Sequence, residues 1–496
     1  MNTLSNRKII ILFLVSLFLG IIFNYLFFQK QFGVSVVIYV SLLLSAFFLL
    51  FYYFKINLNR NIYWYAILLV FFSCMVTIRD NEFLLFWNLV IVLGILLVLI
   101  AHIIGRSIIR YEIVDYLRTG ILLPLKIFLG FFSLLSRVFL INNKIEKNEK
   151  IAHIIKGVVI TMPILLILIL LLSSSDLVFN HLVSKFFFIQ ISEEIWFQAI
   201  IIVFVTSAWL GIFAYAFENA KISADPVTLT NESKRKFGLI EAGILLGTTS
   251  LLYLIFVIIQ VKYLFAGHNA IASLGFTYAE YAHKGFAELI LVSLITFAII
   301  FLTERFVVCS SSIHAKIFQW LCLILTALIF VIMASAFLRL YIYEQAYSFT
   351  LLRILVQAFI IWIAAVFTWL LVKIFLSLKD SVFIFGSFVS ILLFFAVFNL
   401  FNPDAYIARK NIEQFAAAEK LDLKYLSTLS ADAVPQIVKL LEYKDVKDNQ
   451  GNDLSESARL YLKELEIKLK DPSYQNWQSF NLARAKAINV INQKNF

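Results

Sequence analysis

Cysteine, proline, glycine and charged residues are all scarce in this sequence of 496 residues. It contains three cysteines, six prolines and 16 glycines, and 15% of it is charged, against about 25% in an average soluble domain. The cysteines are far apart and form no C-x-x-C pair, which excludes a disulfide framework and a zinc or iron–sulfur spacing. The six histidines form no H-x-x-x-H or H-E-x-x-H string, so we expect no metal site.

Known catalytic and cofactor motifs are also missing. The sequence has no P-loop, no G-x-G-x-x-G and no G-x-S-x-G string. We therefore predict no catalytic residue and no cofactor. A net charge of +11 would suggest nucleic acid in a soluble protein, but in this chain many basic residues lie in short loops between apolar runs. Membrane topology accounts for them, and we expect no nucleic-acid partner.

Apolar residues are abundant, at 61% of the sequence, and they occur in long runs. A helix needs about 20 residues to cross a hydrocarbon core of about 30 Å. The predicted fold class is therefore all-α: a polytopic transmembrane helical bundle of about 11 spans with a small C-terminal helical soluble domain. The predicted spans are Ile9–Phe28, Val34–Phe54, Ile62–Ile78, Phe83–Ile104, Gly157–Leu172, Trp196–Phe217, Ile240–Val261, Phe286–Thr303, Ile317–Leu338, Leu351–Phe375 and Val382–Phe401.

These runs divide the chain into four parts. Four spans occupy residues 1–104, a basic cytoplasmic loop occupies 105–156, about seven spans occupy 157–401, and the soluble domain occupies 402–496. Within the loop, residues 121–141 are apolar but include a proline and two basic residues, Pro124, Lys126 and Arg137. We predict an interfacial helix there, because charges at membrane depth are expensive. A twelfth span is the alternative.

The loop charges predict the orientation of the bundle. With the N-terminus inside, the cytoplasmic segments hold 21 Lys and Arg residues and the outer loops hold seven. Because basic residues collect on the cytoplasmic side, this bias favours a cytoplasmic N-terminus. Eleven spans then place the C-terminus outside, in a multi-pass protein of the cytoplasmic membrane.

The composition changes after the last span. Residues 402–496 carry 14 basic and 13 acidic residues, which predicts a domain that faces water. The strings Asn402-Pro403-Asp404 and Ser430-Ala-Asp432 predict helix N-termini, and Ser455 predicts a third. The lipid bilayer is the expected partner of the spans, and a protein partner is expected for this domain. Part of its small core is predicted to come from Leu423, Leu426 and Leu429.

Several strings together resemble a known group of proteins. Ser173-Ser-Ser-Asp176 follows a span, Tyr278-Ala-Glu280-Tyr281 lies just before Gly285-Phe286-Ala-Glu288-Leu, and Leu429-Ser-Ala-Asp432-Ala-Val-Pro435 lies in the C-terminal domain. With Asn402-Pro403-Asp404, they resemble the uncharacterised bacterial membrane proteins of the domain-of-unknown-function families 4173 and 4153. The resemblance covers roughly residues 150–496, and the first four spans add nothing to it. It implies a bacterial membrane protein and supplies no mechanism.

Ionisable residues near membrane depth are the candidate site residues, because their burial is expensive. On the outer face between the seventh and tenth spans, we predict that Glu288 and Arg353 pair and form the floor of a polar pocket. A belt of tyrosines and basic anchors at the membrane interface is the alternative. The candidate pocket residues are Glu288, Arg353, Arg339, Tyr278, Glu280, Tyr281 and Gln357.

The seventh span carries two further features. Glu241 and Thr248 lie seven residues apart and form a weakly polar stripe, although Glu241 could also reach back to the interface. Gly243 and Gly247 form a G-x-x-x-G face that favours close helix packing.

Three classes of function remain open. The first is a membrane scaffold or sensor with an extracytoplasmic helical domain, which the C-terminal domain favours. The second is a carrier or channel for a small molecule or lipid. Against it, Pro163 is the only proline within a predicted span, whereas carriers often break helices at the midplane. The third is a membrane-embedded enzyme acting on a lipid-linked substrate, for which no motif is present.

Overall fold

A computed structural model describes most of the chain. The described residues are 6–56, 60–103, 193–219, 238–264, 286–308, 311–418, 421–443 and 453–494, with single positions elsewhere. The predicted span Gly157–Leu172 and the apolar stretch 121–141 lie outside these ranges, apart from single positions. The predicted interfacial helix at residues 121–141 and its alternative, a twelfth span, thus fall outside the described residues.

Ten apolar helices build the described part of the bundle. Because lipid offers no hydrogen-bond partners, a chain crossing it must satisfy its backbone internally, as a helix does. Nine of the ten are long and apolar enough to cross a membrane, and the 17-residue α3 is shorter. They are α1 (Asn6–Phe27), α2 (Val34–Tyr53), α3 (Ile62–Ile78), α4 (Glu82–Ile103), α5 (Glu193–Asn219), α6 (Leu239–Leu264), α7 (Phe286–Phe306), α8 (Ser312–Tyr347), α9 (Leu351–Leu376) and α10 (Asp380–Phe401).

The protein is thus an all-α multi-pass membrane protein, as the sequence predicted. Each predicted span in the described ranges coincides with one of these helices. The largest difference is α8, which runs 36 residues and continues past the predicted end at Leu338 to Tyr347. This extension brings Glu344 into the last turn of α8, beside the start of α9.

Aromatic packing joins α1, α2 and α5. Trp209 of α5 donates a hydrogen bond from Nε1 to Tyr39 Oη of α2 at 2.6 Å, and both side chains are buried. A Cβ added to Gly20 of α1 would lie 2.3 Å from Oγ1 of Thr206, so α1 and α5 approach closely at this glycine. Bulky rings and one small residue therefore set the spacing of these three helices.

The C-terminal domain defines one end of the bundle. In this domain the Phe480 carbonyl oxygen accepts a hydrogen bond from Val34 N, at the start of α2. The Asp432 and Asn411 side chains accept hydrogen bonds from backbone N–H groups in the turns after α3 and α8, respectively. We call this the domain end and the opposite end the far end. The turns after α1, α3 and α8 and the last residue of α10 all lie at the domain end.

An ion-pair cluster ties three helices together at the far end. Lys373 of α9 has no exposed surface, and its Nζ lies 2.6 Å from Asp380 Oδ1 and also bonds to Glu304 Oε2. Arg305 lies 3.8 Å from the same aspartate. A buried ammonium needs such partners, so the cluster fixes the ends of α7 and α9 to the start of α10.

The eleven-span prediction requires α4 to end and α5 to begin at opposite ends of the bundle, and they do. Helix α4 starts at the domain end, directly after Asn81, and so ends at the far end. Helix α5 starts at the domain end, where Gln198 accepts a hydrogen bond from Asn24 Nδ2 at 3.2 Å. Its other end reaches the far end, where the Phe217 ring lies 4.7 Å from that of Phe54.

The C-terminal domain is a compact set of short helices around a small apolar core. The three predicted core leucines, Leu423, Leu426 and Leu429, are buried. The helices are α11 (Pro403–Ala418), α12 (Leu423–Leu426), the 3-10 helix η1 (Ala431–Ala433), α13 (Val434–Ile437), η2 (Val438–Glu442), α14 (Leu454–Leu469), α15 (Pro472–Gln475), η3 (Trp477–Ser479) and α16 (Leu482–Gln493).

A helix begins at each of the three predicted places, but the cap of the third is not the predicted residue. Helix α11 begins at Pro403, and Ser430 Oγ accepts a hydrogen bond from Asp432 N at the start of η1. The third cap is Asp453, not Ser455: its Oδ1 accepts from the backbone N–H groups of Ser455 and Glu456. An aspartate two residues earlier in the chain reaches the same free N–H groups, and its charge suits the helix N-terminus better than a hydroxyl does.

Candidate functional site

A buried glutamate lies among the predicted polar residues where α8 ends and α9 begins. Glu344, in the last turn of α8, has no exposed surface, and its Oε2 accepts a hydrogen bond from Gln357 Nε2 at 2.6 Å. Within the described residues, its Oε1 has no hydrogen-bond partner. Burying a carboxylate without hydrogen-bond partners for both oxygens is costly, so Glu344 lowers the free energy of unfolding of the folded chain.

Arg353 closes the turn between α8 and α9. Its guanidinium carbon lies 4.3 Å from the centroid of the Tyr343 ring, a cation–π contact. The same group donates to the carbonyl oxygens of Tyr347, at 3.0 Å, and of Ser348. These carbonyls end α8, where the helix dipole favours a positive charge. Arg353 therefore stabilises the turn, and the turn holds Gln357 beside Glu344.

The structure does not bring Glu288 to Arg353. Glu288 is exposed in the first turn of α7, and within the described residues it forms no ion pair with Arg353. Glu344 instead lies beside the polar face that Arg353 and Gln357 form. Arg339 is buried on α8, more than one turn before Glu344. Three of the predicted pocket residues lie outside the described residues, so the wider pocket stays a prediction: Tyr278, Glu280 and Tyr281.

The polar stripe and the glycine face of α6 show no close contact with another helix in the described part of the chain. Glu241 is exposed and bends back toward Gly238, and Thr248 Oγ1 donates to its own helix at Ile244 O, at 2.7 Å. A Cβ at Gly243 would only reach Leu321 at 4.0 Å, and one at Gly247 would meet no described atom within 4 Å.

A second polar cluster, which the sequence did not predict, joins the turn between α3 and α4 to the C-terminal domain. Arg79 Nη1 pairs with Asp432 Oδ1 at 3.2 Å, and the backbone N–H of Asp80 donates to Asp432 Oδ2 at 2.7 Å. Asp80 in turn pairs with Arg484 of α16 at 3.0 Å and accepts from Ala431 N at 3.3 Å. In one pair the arginine lies in the α3–α4 turn and the aspartate in the domain, and in the other pair the positions are reversed.

Asn81 and Asp404 extend this contact to the start of α11. Asn81 Nδ2 donates to Asp404 Oδ1 at 2.8 Å, and both residues are buried. Asp404 Oδ2 accepts from the backbone N–H of Ser430 at 3.0 Å. We call the set Arg79, Asp80, Asn81, Asp404, Asp432 and Arg484 the junction network.

Asparagines continue the junction network on both of its sides. Asn88 of α4 and Asn399 of α10 exchange two amide hydrogen bonds of 2.8 Å, and neither side chain is exposed. Asn481 Nδ2 donates to the carbonyl oxygens of Val76 and Arg79, which end α3. Groups that would otherwise be unsatisfied at the ends of membrane helices are thus satisfied by the domain.

Burial governs the acidity of the junction carboxyl groups. It raises the pKa of Asp80 to about 6, although the Arg484 guanidinium acts in the opposite direction. Burial also raises the pKa of Asp432 above its usual range, against the effect of the Asp80 N–H and of Arg79. Removal from water therefore outweighs the ion pairs at both residues.

The junction network is arranged to hold two parts of the chain together. Every carboxylate oxygen of Asp80, Asp404 and Asp432 accepts a hydrogen bond or forms an ion pair with a protein group. Within the described residues, no three His, Cys, Asp or Glu side chains are placed to hold a metal ion. The arrangement is therefore that of a docking contact, in which each carboxylate oxygen already has a protein partner.

The strings that carry the resemblance already contain part of the junction network. Asp404 belongs to Asn402-Pro403-Asp404, and Asp432 to Leu429-Ser-Ala-Asp432-Ala-Val-Pro435. Arg79 and Asp80 follow α3 directly, in a turn of three residues, and Arg79 entered the sequence prediction only in the count of loop charges. An adjacent arginine and aspartate in so short a turn between spans was the signal from which this contact could have been predicted.

One comparison with known proteins gives a match. A family model described as "Domain of unknown function (DUF4153)" matches residues 66–440, from within α3 to within η2. The match bears out the resemblance to family 4153. The expected range, 150–496, begins too late, since the match includes α4 and the turn that carries Arg79, and that range extends past the matched end at residue 440. No curated protein and no solved structure matches the chain.

Proposed function

This chain belongs to the DUF4153 family, and we propose that it is a membrane scaffold or sensor of the cytoplasmic membrane. In this proposal the C-terminal domain lies on the extracytoplasmic side and meets a partner there. The observation that carries the proposal is the junction network, which couples that domain to the turn between α3 and α4 through two partly buried ion pairs. The excess of basic residues in the opposite loops supports the orientation.

Rigid coupling is what a sensor or scaffold needs from such a junction. A domain held only by its linker would move independently of the bundle. Binding of a partner to such a domain would not change the conformation of the membrane helices. This domain also contacts the α8–α9 turn, where Asn411 accepts from Phe349 N at 2.6 Å and Tyr425 Oη accepts from Leu351 N at 2.7 Å. A force or ligand on the domain therefore reaches three separate turns of the bundle.

A double-mutant cycle tests the coupling. Arg79→Ala and Asp432→Ala should each lower the thermal unfolding midpoint of the purified full chain, and the double variant should lose less than the sum. The matched control is Lys410 and Glu413, whose charges are 2.7 Å apart but exposed on α11. That pair should show a coupling energy of at most about 1 kcal/mol. Additive losses at Arg79 and Asp432 would contradict the coupling.

Proximity labelling tests the function itself. A labelling enzyme fused after Phe496 should mark a reproducible set of neighbours in cells, and the Arg79→Ala/Asp432→Ala variant should lose that set. The Lys410→Ala/Glu413→Ala variant should keep it. Neighbours that match those of an unrelated membrane protein at the same level would contradict a scaffold or sensor.

A carrier of protons or small cations is the second candidate, and Glu344 favours it. Carriers commonly place an ionisable residue inside the bundle, where it binds and releases its cargo. Glu344 is buried, and one of its oxygens has no hydrogen-bond partner in the described residues. Proteoliposomes holding a pH-sensitive dye report on this candidate. A proton or cation flux that disappears in Glu344→Gln would favour the carrier over the scaffold.

A further inference from the structure

A stripe of exposed apolar side chains runs the length of α1. Its members recur at helical spacing and are each about half exposed. On a membrane-spanning helix, lipid covers apolar side chains that the protein leaves exposed. The stripe is Ile10, Leu14, Phe18, Ile21 and Tyr25.

The stripe continues into the C-terminal domain without a break. The ring centroid of Tyr25, in the last turns of α1, lies 6.4 Å from that of Trp477 in η3. Trp477 is 53% exposed, and Phe480 three residues later is 49% exposed. These are the two most exposed aromatic residues of the domain's described part. Trp477 lies beside Tyr25 of the α1 stripe.

Hydrogen bonds fix the height of this aromatic turn relative to the bundle. Phe480 O accepts from the backbone N–H of Val34, the first residue of α2, at 2.8 Å. Ser479 Oγ accepts from Gln31 N at 3.0 Å, in the turn between α1 and α2. The turn thus lies level with the point where one span ends and the next begins, which is the depth of the lipid headgroups.

The charge and chemistry of the neighbouring residues match that depth. Lys30 Nζ lies 4.7 Å from the centroid of the Tyr25 ring, on the same side of the turn. Tryptophan and tyrosine, with an apolar body and one polar atom, are enriched at headgroup level, and lysine there reaches phosphate groups. A water-exposed surface would not favour this composition, since exposed tryptophan is costly in water.

We propose that the C-terminal domain binds the lipid bilayer directly, through Trp477 and Phe480 inserted among the headgroups beside α1. The domain then has two supports: the junction network holds it to the bundle, and the aromatic turn holds its edge to the lipid. The occupant of this surface is phosphatidyl lipid, with Lys30 near its phosphate. The inference goes beyond the proposed function, because it holds for a scaffold and for a carrier alike.

Fluorine NMR of the full chain in phosphatidylcholine nanodiscs tests the proposal. The chain is labelled with 5-fluorotryptophan at its eight tryptophans, and Trp477→Phe identifies one signal by its absence. Lipid carrying a nitroxide on its headgroup should abolish the Trp477 signal. A gadolinium chelate in the water should leave most of it. Phe480→Trp provides an independent ninth signal with the same expected behaviour.

Two other tryptophans serve as internal references. Trp320 of α8 is 61% exposed in a span and should respond to nitroxide on the lipid chain, whereas Trp209 is 7% exposed and should respond to neither reagent. A Trp477 signal removed by gadolinium and kept with nitroxide lipid would place the turn in water and overturn the proposal. A signal that survives both reagents would also overturn it, since the turn would then be covered by protein, such as a second copy of this chain.

Discussion

Asp80 is a residue at which burial and ion pairing act in opposite directions. Its carboxylate pairs with Arg484, and Lys468 adds a weaker attraction, but Asp432 is close by and burial raises the Asp80 pKa from 3.8 to about 6. The folded state therefore binds a proton more tightly than the unfolded chain does. Its contribution to stability is fully present below pH 3.8 and is lost as the pH rises through about 6.

The first prediction is that the full chain is more stable at pH 5 than at pH 7.5. Only the part of the shift above pH 5 counts in this comparison, which corresponds to a difference of about 1.4 kcal/mol. Asp80→Asn should reduce the dependence between these pH values, since the amide carries no charge. The thermal unfolding midpoint across the pH series measures both effects. Glu413→Gln, an exposed acid on α11, is the control and should leave the dependence unchanged.

Glu344 provides a second prediction. Its neutral analogue Glu344→Gln keeps the shape and can still accept from Gln357, so it should raise the free energy of unfolding by about 1 kcal/mol. Glu304→Gln is the matched contrast, because it weakens the pairing of the buried Lys373 and should lower stability. Denaturant titration of the two variants measures the difference. A loss of stability in Glu344→Gln would mean that the carboxylate is fully compensated.

Among the helices and turns, the one between α1 and α2 depends on Gly33 for its close approach to the domain. The φ of Gly33, −171°, is ordinary extended backbone, so alanine meets no conformational obstacle there. The obstacle is contact: an added Cβ would lie 2.3 Å from Phe480 O and 2.8 Å from the Ser479 carbonyl carbon. These are backbone atoms, which cannot move without breaking the bond from Val34 N to Phe480 O.

The third prediction follows from this contact. Gly33→Ala should lower the unfolding midpoint of the full chain by an amount equivalent to about 1–3 kcal/mol. Gly94→Ala in α4 is the control, since no described atom lies within 4 Å of its added Cβ and alanine favours a helix. The control should be neutral or stabilising. Equal effects of the two substitutions would show that the α1–α2 turn tolerates a shift of the domain.

The helices could be predicted from the sequence because their causes are local. Each span is a run of apolar residues long enough to cross the bilayer, and the helix starts at Pro403 and Ala431 are set by residues within one turn. Where prediction failed, as at Ser455, two neighbouring residues competed for the same N–H groups. Asp453 is the residue that caps the helix, and the local sequence does not show which of the two candidates does so.

The contacts between helices could not be predicted in the same way. The Asp80 N–H and the Asp432 carboxylate are 352 positions apart in the chain, and neither local sequence indicates that the two residues are in contact. The same holds for Glu288 and Arg353, whose predicted pairing rests on their place in the first turn of a span. Two residues at the same depth in the membrane need not face each other, because depth does not determine how each helix is rotated about its axis. In the structure Glu344, on the longer α8, lies beside Arg353 and Gln357 where Glu288 was expected.

Across the molecule as a whole, the start of α1 and the C-terminal domain lie at opposite ends of the bundle. Lys8 Nζ, near the start of α1, lies 5.1 Å from the Phe54 ring at the far end, while the C-terminal domain occupies the domain end. An odd number of crossings is required for this arrangement, as eleven spans provide. The cellular side of each end is a separate question, which the charge bias alone addresses.

The last prediction is that the C-terminus is extracytoplasmic and the N-terminus cytoplasmic. Alkaline phosphatase fused after Phe496 should be active, and a fluorescent protein that folds only in the cytoplasm should be dark there. The same two reporters inserted after Lys55, in the far-end turn between α2 and α3, should give the reverse pattern. Because the loops predicted to be cytoplasmic hold most of the basic residues, inversion of the whole protein would be costly. Reversed signals at both positions would mean an inverted bundle, and equal signals would mean that the two turns do not lie on opposite faces.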